Sequence, residues 1–239
     1  MLNPEFDAIG QAVSEYHKTG KSDKILVKTD LAEDEFLDPS YFFRSFKSMP
    51  LLERKALQLA KGRILDVGAG AGCHSLYLQE KGYDVHSIDI SPLLCNVMTE
   101  RGIKNVICTD IFQYSDQKFD TILFLMNGIG VAKNLNGLVP LLVHLREILN
   151  PGGSILLDSS DIIYLYEDED GAYQIDLNSE KYYGEITYDL SYRQFHSDPF
   201  PWLFVDYETM EEMAEVAGFK SKIVQKGTHF DYLMQLIKI

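Results

Sequence analysis

The chain is poor in several things that whole classes of protein require. It has three cysteines, Cys73, Cys95 and Cys108, odd in number and without C-x-x-C spacing. That excludes a disulfide framework and a cysteine zinc cage, and fits reduced, packing thiols; no metal site is expected. Positive charge is scarce: 22 Lys and Arg stand against 36 Asp and Glu, a formal net charge of -14. Such a surface repels phosphate backbones, and no local basic patch offsets it, so nucleic acid is not an expected partner. Long apolar runs are missing too. The most apolar short run, Ile122 to Met126, falls far below the ~20 residues that span a bilayer, so no membrane partner is expected. The opening MLNPEFDAIG carries acid where a signal peptide needs base. A soluble, cytoplasmic chain is the expectation. Internal repeats, low-complexity segments and linkers are also lacking, and 239 residues with 46% hydrophobic and 24% charged content suit one domain with a substantial core.

What is there is an alternation. From Arg63 onward, short aliphatic runs alternate with helical patterns, the signature of βα units on a mainly parallel sheet. Strands are expected at Arg63–Val67, Val85–Asp89, Val106–Thr109, Asp120–Leu125 and Ser154–Asp158. Helices are expected from Cys73 to Glu80, after the Ser91-Pro92 cap, and between Asn136 and Leu149. In the last of these Leu138, Leu141, Leu142, Leu145, Ile148 and Leu149 share one face and Pro140 lies in the first turn. The ends depart from this rhythm. Residues 1–60 read as a mostly helical N-terminal cap, with a candidate strand at Lys24–Thr29 and a helix at Pro50–Ala60. Residues 61–159 form the core. Residues 160–206 alternate polar and aromatic positions, antiparallel chemistry that suits an inserted hairpin. A closing helix capped by Asp206 and two strands, Ser221–Gln225 and Tyr232–Ile239, fill 207–239.

The most informative stretch is Leu65-Asp66-Val67-Gly68-Ala69-Gly70-Ala71-Gly72. Glycines between a strand and a helix let the backbone come close to a ligand that a Cβ would push away, and the helix start can hold an anion. The spacing is G-x-G-x-G, with Cys73 where a dinucleotide fingerprint wants its last glycine. The next strand ends at Asp89, where a carboxylate can accept from both hydroxyls of a ribose. The third ends at Asp110-Ile111: the acid suits the exocyclic amine of adenine, and the aliphatic side chain suits its ring face.

In this order, LDVGAGAG, HSIDIS, CTDIF, FDTILFLMNGIG and LNPGGSILLD across residues 63–158 resemble the core of class I S-adenosylmethionine-dependent methyltransferases. The resemblance implies an α/β, three-layer, Rossmann-like sheet of seven strands, mostly parallel with the last antiparallel, here carrying an inserted antiparallel hairpin. It implies S-adenosyl-L-methionine as cofactor and S-adenosyl-L-homocysteine as product. The cofactor-binding residues it suggests are Asp66, Gly68, Ala69, Gly70, His74, Asp89, Ile90, Asp110, Ile111 and Asn127, with Gly68 and Gly70 near the methionine end. Asn127, at the end of the fourth core strand, falls where the family lines the methyl-transfer site. Arg44 and Phe42 are candidates for an N-terminal cap over the cofactor, a cation for its carboxylate and an aromatic for its base. The acceptor is expected to be a small molecule with an N or O nucleophile, and Asp158, Asp161 and His196 are candidate bases.

Each residue also has a plainer reading. His74 suits an exposed first-turn position as well as a contact with cofactor or acceptor. Asn127-Gly128 suits a simple turn, and the acidic run Glu167–Asp170 a solvated loop. Residues 160–207 hold twelve of the 28 Phe, Tyr and Trp, about twice an even share. Most of these suit packing, with Tyr182, Tyr188, Tyr192 and Trp202 as candidate walls of an acceptor pocket. A non-catalytic cofactor-binding sensor on the same fold, and a nicotinamide dehydrogenase with the wrong glycine spacing, are the alternatives. The sequence leaves oligomeric state open.

Overall fold

The structure, a computed structural model, describes residues 1–168, 170–175, 179 and 181–239; Glu169 of the acidic run lies outside the described residues. The carboxylate of Asp7 accepts from the Gly10 N–H at 2.7 Å and so starts α1 (Ala8–Thr19). An antiparallel pair follows, β1 (Ile25–Thr29) and β2 (Glu35–Leu37), then two 3-10 turns at Pro39–Phe43 and Phe46–Ser48, then α2 (Leu51–Leu59). The βα rhythm runs through β3 (Arg63–Val67), α3 (Cys73–Glu80), β4 (Asp84–Asp89), α4 (Pro92–Glu100), β5 (Asn105–Cys108), β6 (Phe119–Phe124), α5 (Leu135–Glu147) and β7 (Leu149–Ser160). Three further strands, β8 (Glu185–Tyr192), β9 (Phe195–His196) and β10 (Phe200–Leu203), precede α6 (Tyr207–Val216), β11 (Phe219–Lys226) and β12 (Asp231–Lys238).

Seven strands form the main sheet in the order β11-β12-β7-β6-β3-β4-β5. β3 to β7 pair in parallel, while β12 is antiparallel to both β7 and β11. Because side chains alternate across a strand, β3 feeds both faces. Leu65 and Val67 join Leu138, Leu141 and Leu145 of α5 and Met210 of α6, whereas Ile64 joins Leu52, Ala56 and Leu57 of α2 and Leu78 of α3. Asp66 and Asp158 leave their strands on the α2–α3 side, between neighbours assigned to the opposite cluster. Burying one such Leu side chain contributes ~1.5–3 kcal/mol, so this doubly covered sheet carries the stability and holds its C-terminal edge rigid.

The ends of the chain correct one expectation. The first sixty residues are not simply a helical cap, and the 160–206 segment is not a hairpin on its own. β1 and β2 join β8, β9 and β10 in a second, antiparallel sheet of five strands, ordered β10-β8-β1-β2 with β9 on β8. A lone two-stranded hairpin is marginal in water, and pairing Val27 with Leu190 gives both segments a shared apolar face against α1. This sheet sits at the C-terminal end of β6. The Asn127 amide donates to the Leu203 carbonyl at 3.1 Å, and the Glu185 carboxylate accepts from the Leu135 N–H at 2.9 Å at the start of α5. Gly130 makes the approach feasible: a Cβ there would lie 2.1 Å from Trp202 Nε1. Among the described residues no helix is long and apolar enough to cross a membrane.

Candidate functional site

The glycine turn after β3 is open where a ligand would need it. Gly68 has φ 67°, and an added Cβ would meet nothing within 4 Å, so its backbone faces free space. Gly72, at φ 78°, is glycine for packing: a Cβ would lie 2.1 Å from Ile103 Cδ1. Asp66 is buried and accepts from Ser75 Oγ at 2.6 Å, and Ser75 accepts in turn from Ser87 Oγ at 2.7 Å. Burial pushes the Asp66 carboxyl up against the opposing effects of His74 and Ser75. Its role in this structure is to tie the strand to the first turn of α3. Asp89, also buried, takes the Gly70 N–H at 3.0 Å and the Ser91 N–H at 2.9 Å on its two oxygens. Burial raises its carboxyl to about 6, despite those two donors. Asp89 thus fixes the glycine turn from across the sheet while staying at the C-terminal edge.

Asp110 caps the 3-10 turn that follows β5, accepting from the Phe112 N–H at 3.0 Å on one oxygen. The expected role of Ile111 needs correction. Its side chain is only 5% exposed and packs in the core with α5, which leaves little of it to face a ring; Ile90, beside Asp89, is 43% exposed. Ile90 follows the acid that ends β4 and Ile111 the acid after β5, and which of the two packs inward is set by tertiary contacts that the sequence alone does not show.

Above the turn lies a buried charged trio. His74 is neither exposed nor free: Nε2 lies 2.6 Å from Glu53 Oε2, and the Arg44 guanidinium bonds the same carboxylate oxygen. Burial opposes charge on the imidazole, yet its bonds to the Cys73 sulfur and to Glu53 outweigh it and raise the ring to about 10. His74, and then Arg44, hold the Glu53 carboxyl low against burial. Arg44 also donates to the Tyr41 carbonyl at 2.7 Å and lies 4.1 Å from the Tyr41 ring centroid, while its Nε is buried with no partner. Phe42, the other proposed cap residue, stands over Gly70, 3.2 Å from where a Cβ would be. Sequence reading missed Glu53 and Tyr41. Glu53 left a signal, since it falls within the buried stripe Leu52, Ala56 and Leu57 of α2, where a carboxylate needs a partner.

Asp158, at the end of β7, is the group most open to a reactant. One oxygen faces the Asn127 N–H at 3.4 Å, and Oδ2 takes no hydrogen bond from the described residues. Burial, and then the nearby Glu53 carboxylate, raise it to about 7, against the pull of the Asn127 N–H and His74. The Asn127 side chain also makes a joint: it donates to the Leu203 carbonyl and accepts from Ser159 Oγ at 2.7 Å, joining β7 to β10. It does so in the left-handed region (φ 53°), as does its neighbour Met126 (φ 59°). Such backbone costs ~1–3 kcal/mol per residue and is retained mostly at functional sites.

His196 is not brought to this place. It is exposed and bonded to Ser191 Oγ at 3.0 Å, at the far end of β8 from Glu185, whose partner Leu203 meets Asn127. Six residue steps, from Glu185 to Ser191, separate the two ends, about 20 Å. Tyr192 is buried and bonded to Glu15 and Ser22, and Tyr182 is bonded to Asp206 at 2.6 Å, so both are structural. Trp202 stands against Gly130 after β6, and Tyr188 packs beside Phe200 on the same face of the second sheet. A cavity of about 230 Å³ between α1 and the β8–β9 turn lies away from the glycine turn, and its Glu15 is already paired with Arg193.

A seven-stranded sheet with its one reversed strand next to the edge, an open glycine turn after β3 and acids after β4 and β5 define a Rossmann-like nucleoside-cofactor enzyme. Comparison with known proteins narrows this. Residues 65–157 match the family described as a methyltransferase domain. Over its whole length the chain resembles the S-adenosylmethionine-dependent methyltransferase of Bacteroides fragilis, solved in complex with S-adenosyl-L-homocysteine: 42% identity, 98% of that chain covered, TM-score 0.92. CcbJ of Streptomyces caelestis (14% identity, 82% of this chain and 98% of that one, TM-score 0.60) and the amino pentose methyltransferase CalS10 of Micromonospora echinaspora (14%, 81% and 94%, 0.54) share the fold. A Bacillus subtilis (strain 168) protein, YqeM, whose own assignment as a methyltransferase is provisional, is 27% identical over 104 residues, 41% of this chain and 42% of that protein's length. The chain belongs to the S-adenosylmethionine-dependent methyltransferases, and S-adenosylmethionine is its cofactor.

Proposed function

We propose that this enzyme methylates a small molecule through an N or O nucleophile, with Asp158 receiving the proton or orienting the nucleophile. The observation that carries the reading is the half-open Asp158 carboxyl at the C-terminal edge beside the glycine turn, poised at about 7, where a base is most effective at neutral pH. When bound, the cofactor supplies an electrophilic methyl group on a sulfonium. The chain's residues fit it. Free space over Gly68 admits a ligand against the backbone, and the buried Arg44 Nε has a donor to give to a carboxylate. In this reading Gly68, Ala69 and Gly70 contact the methionine end, Asp89 and Asp110 the nucleoside, and Ile90 its ring, while Asp66 and His74 support the site from behind. The acidic surface argues against a nucleic-acid acceptor, and the free thiols agree with a cytoplasmic setting.

The test is transfer of labelled methyl from S-adenosylmethionine into a metabolite extract fractionated by size. Label in the small-molecule fraction is expected, with turnover cut about 10²–10⁴-fold in Asp158→Asn while S-adenosylhomocysteine affinity stays within about twofold. Label confined to protein or RNA, or an unimpaired variant, would refute the reading.

A further inference from the structure

The acceptor side of the cleft carries enough detail to name the chemistry of its occupant. A circuit of side chains borders the end of β7. Asn127 faces Asp158 and holds Leu203. Next to Leu203, Trp202 meets Phe200 edge-on with centroids 6.1 Å apart, and Phe200 lies 5.8 Å from Tyr188 across the β8–β10 pair. Burial raises the Tyr188 hydroxyl, and Glu35 and Tyr164 act on it in the same direction. Tyr164 stacks on Phe230 at 5.3 Å, and the Phe230 carbonyl accepts from the Asp161 N–H at 3.0 Å, which returns the circuit to the strand that bears Asp158.

These side chains look inward. Tyr188 shares a face of β8 with Leu190 and Tyr192, which pack toward α1, and Glu35 pairs with Val27 on that same face yet stays exposed. Glu35 lies on the edge strand β2, so its exposed carboxylate stands at the rim of that face. Backbone strain gathers here as well: of the five non-glycine residues with positive φ, Met126, Asn127 and Phe230 stand on this rim.

The charges are one-sided. Asp158, Asp161 and Glu35 border the circuit; of the nearby basic groups, Arg44 and His74 are committed to Glu53, and the His229 ring meets Tyr164 edge-on with centroids 4.7 Å apart. Among the described residues no Lys or Arg stands in it. Ring faces and carboxylates attract a cation, and an anion or a polyphosphate would meet three negative groups.

We propose that the space between the two sheets is the acceptor site and that it selects a primary or secondary amine bound as its ammonium ion, against the faces of Tyr188, Tyr164 and Trp202. This rests on the small-molecule reading above and sharpens it. The ammonium nitrogen gives one proton to the Asp158 carboxylate. The freed nitrogen lone pair then forms the new N–C bond as the S–C bond breaks, its electron pair staying on sulfur. The methylated product leaves as an ammonium ion, and Asp158 returns its proton to solvent on its open side.

The experiment uses two soluble isosteres that differ in charge, choline and 3,3-dimethylbutan-1-ol, titrated by calorimetry into the full chain saturated with S-adenosylhomocysteine. Choline should bind at least about tenfold tighter than the alcohol, and Tyr188→Leu, which keeps apolar bulk but removes the ring, should reduce that preference to about twofold. Tyr164→Leu serves as the second variant should the first not fold. Choline no tighter than the alcohol, or an unchanged preference in both leucine variants, overturns the amine assignment and leaves methyl transfer to a neutral acceptor standing. Absence of heat from S-adenosylhomocysteine itself would remove the cofactor site and the assignment with it.

Discussion

Asp158 and Asp89 are costly residues where they stand. Each is a buried carboxylate whose proton is held more tightly in the fold than in the open chain, at about 7 and about 6. A carboxyl raised in the folded state favours folding when protonated and opposes it when ionised, so its cost grows as pH climbs from ~4 through those values. Asp158→Asn should therefore melt higher than the parent at pH 7.5, by about 2 kcal/mol or less, with the gain shrinking toward pH 4.5. Thermal melts at the two pH values check this, and an equal effect at both would refute it. Activity should run the other way: as pH falls through about 7, Asp158 takes up a proton and kcat/KM should decline, which a pH–rate profile reads. Asp89→Ala should weaken S-adenosylhomocysteine at least about 100-fold by calorimetry, through lost ribose acceptance and a released Gly70 N–H. His74 has the opposite sign. Its raised value of about 10 supplies stability in full below its ordinary ~6.5, and that stability is lost as pH rises toward 10. Glu53→Gln leaves two buried cations without their anion and should cost about 3–5 kcal/mol in urea unfolding at pH 7.

At the scale of elements, the molecule depends on joints that each have one admissible residue. Gly72→Ala would place a methyl against Ile103 in a left-handed turn, and should destabilise by roughly 1–3 kcal/mol while also blunting cofactor affinity, because α3 would shift away from the turn. The second sheet is the more surprising element, since two of its strands, β1 and β2, come from the start of the chain and three, β8 to β10, from beyond the core. Neither set announces the pairing. Ile25 and Val27 offer an ordinary short apolar run, and Leu190 and Tyr192 another, more than 160 residues along the chain. Ile25→Ala should then loosen β8 as well as β1, at a cost of about 2–4 kcal/mol, seen as faster amide exchange in both segments with the main sheet unaffected. Exchange that quickened in β1 alone would argue against a shared sheet.

For the whole molecule, the main sheet supplies a rigid edge and the second sheet meets it at the end of β6, so that the proposed chemistry falls between two layers built by different rules. The parallel layer is local in origin. Runs such as Ile64-Leu65 and Ile122-Leu123, the Asp89 strand end and the glycine turn lie within tens of residues of each other, and their periodicity and turn chemistry suffice to announce a nucleoside-binding α/β core. Helix caps at Asp7, Ser91 and Asp206 are equally local. Tertiary structure alone decided the rest. It turned Ile111 inward and left Ile90 open, drew His74 into a trio with Glu53 and Arg44, gave Asn127 to a joint, and set His196 apart from Asp158. Those outcomes depend on which distant segments meet, and a side chain's charge state follows from its burial and partners. Spacing along a chain fixes what a strand or a turn can be; only packing across it decides which carboxylate is left facing an open space.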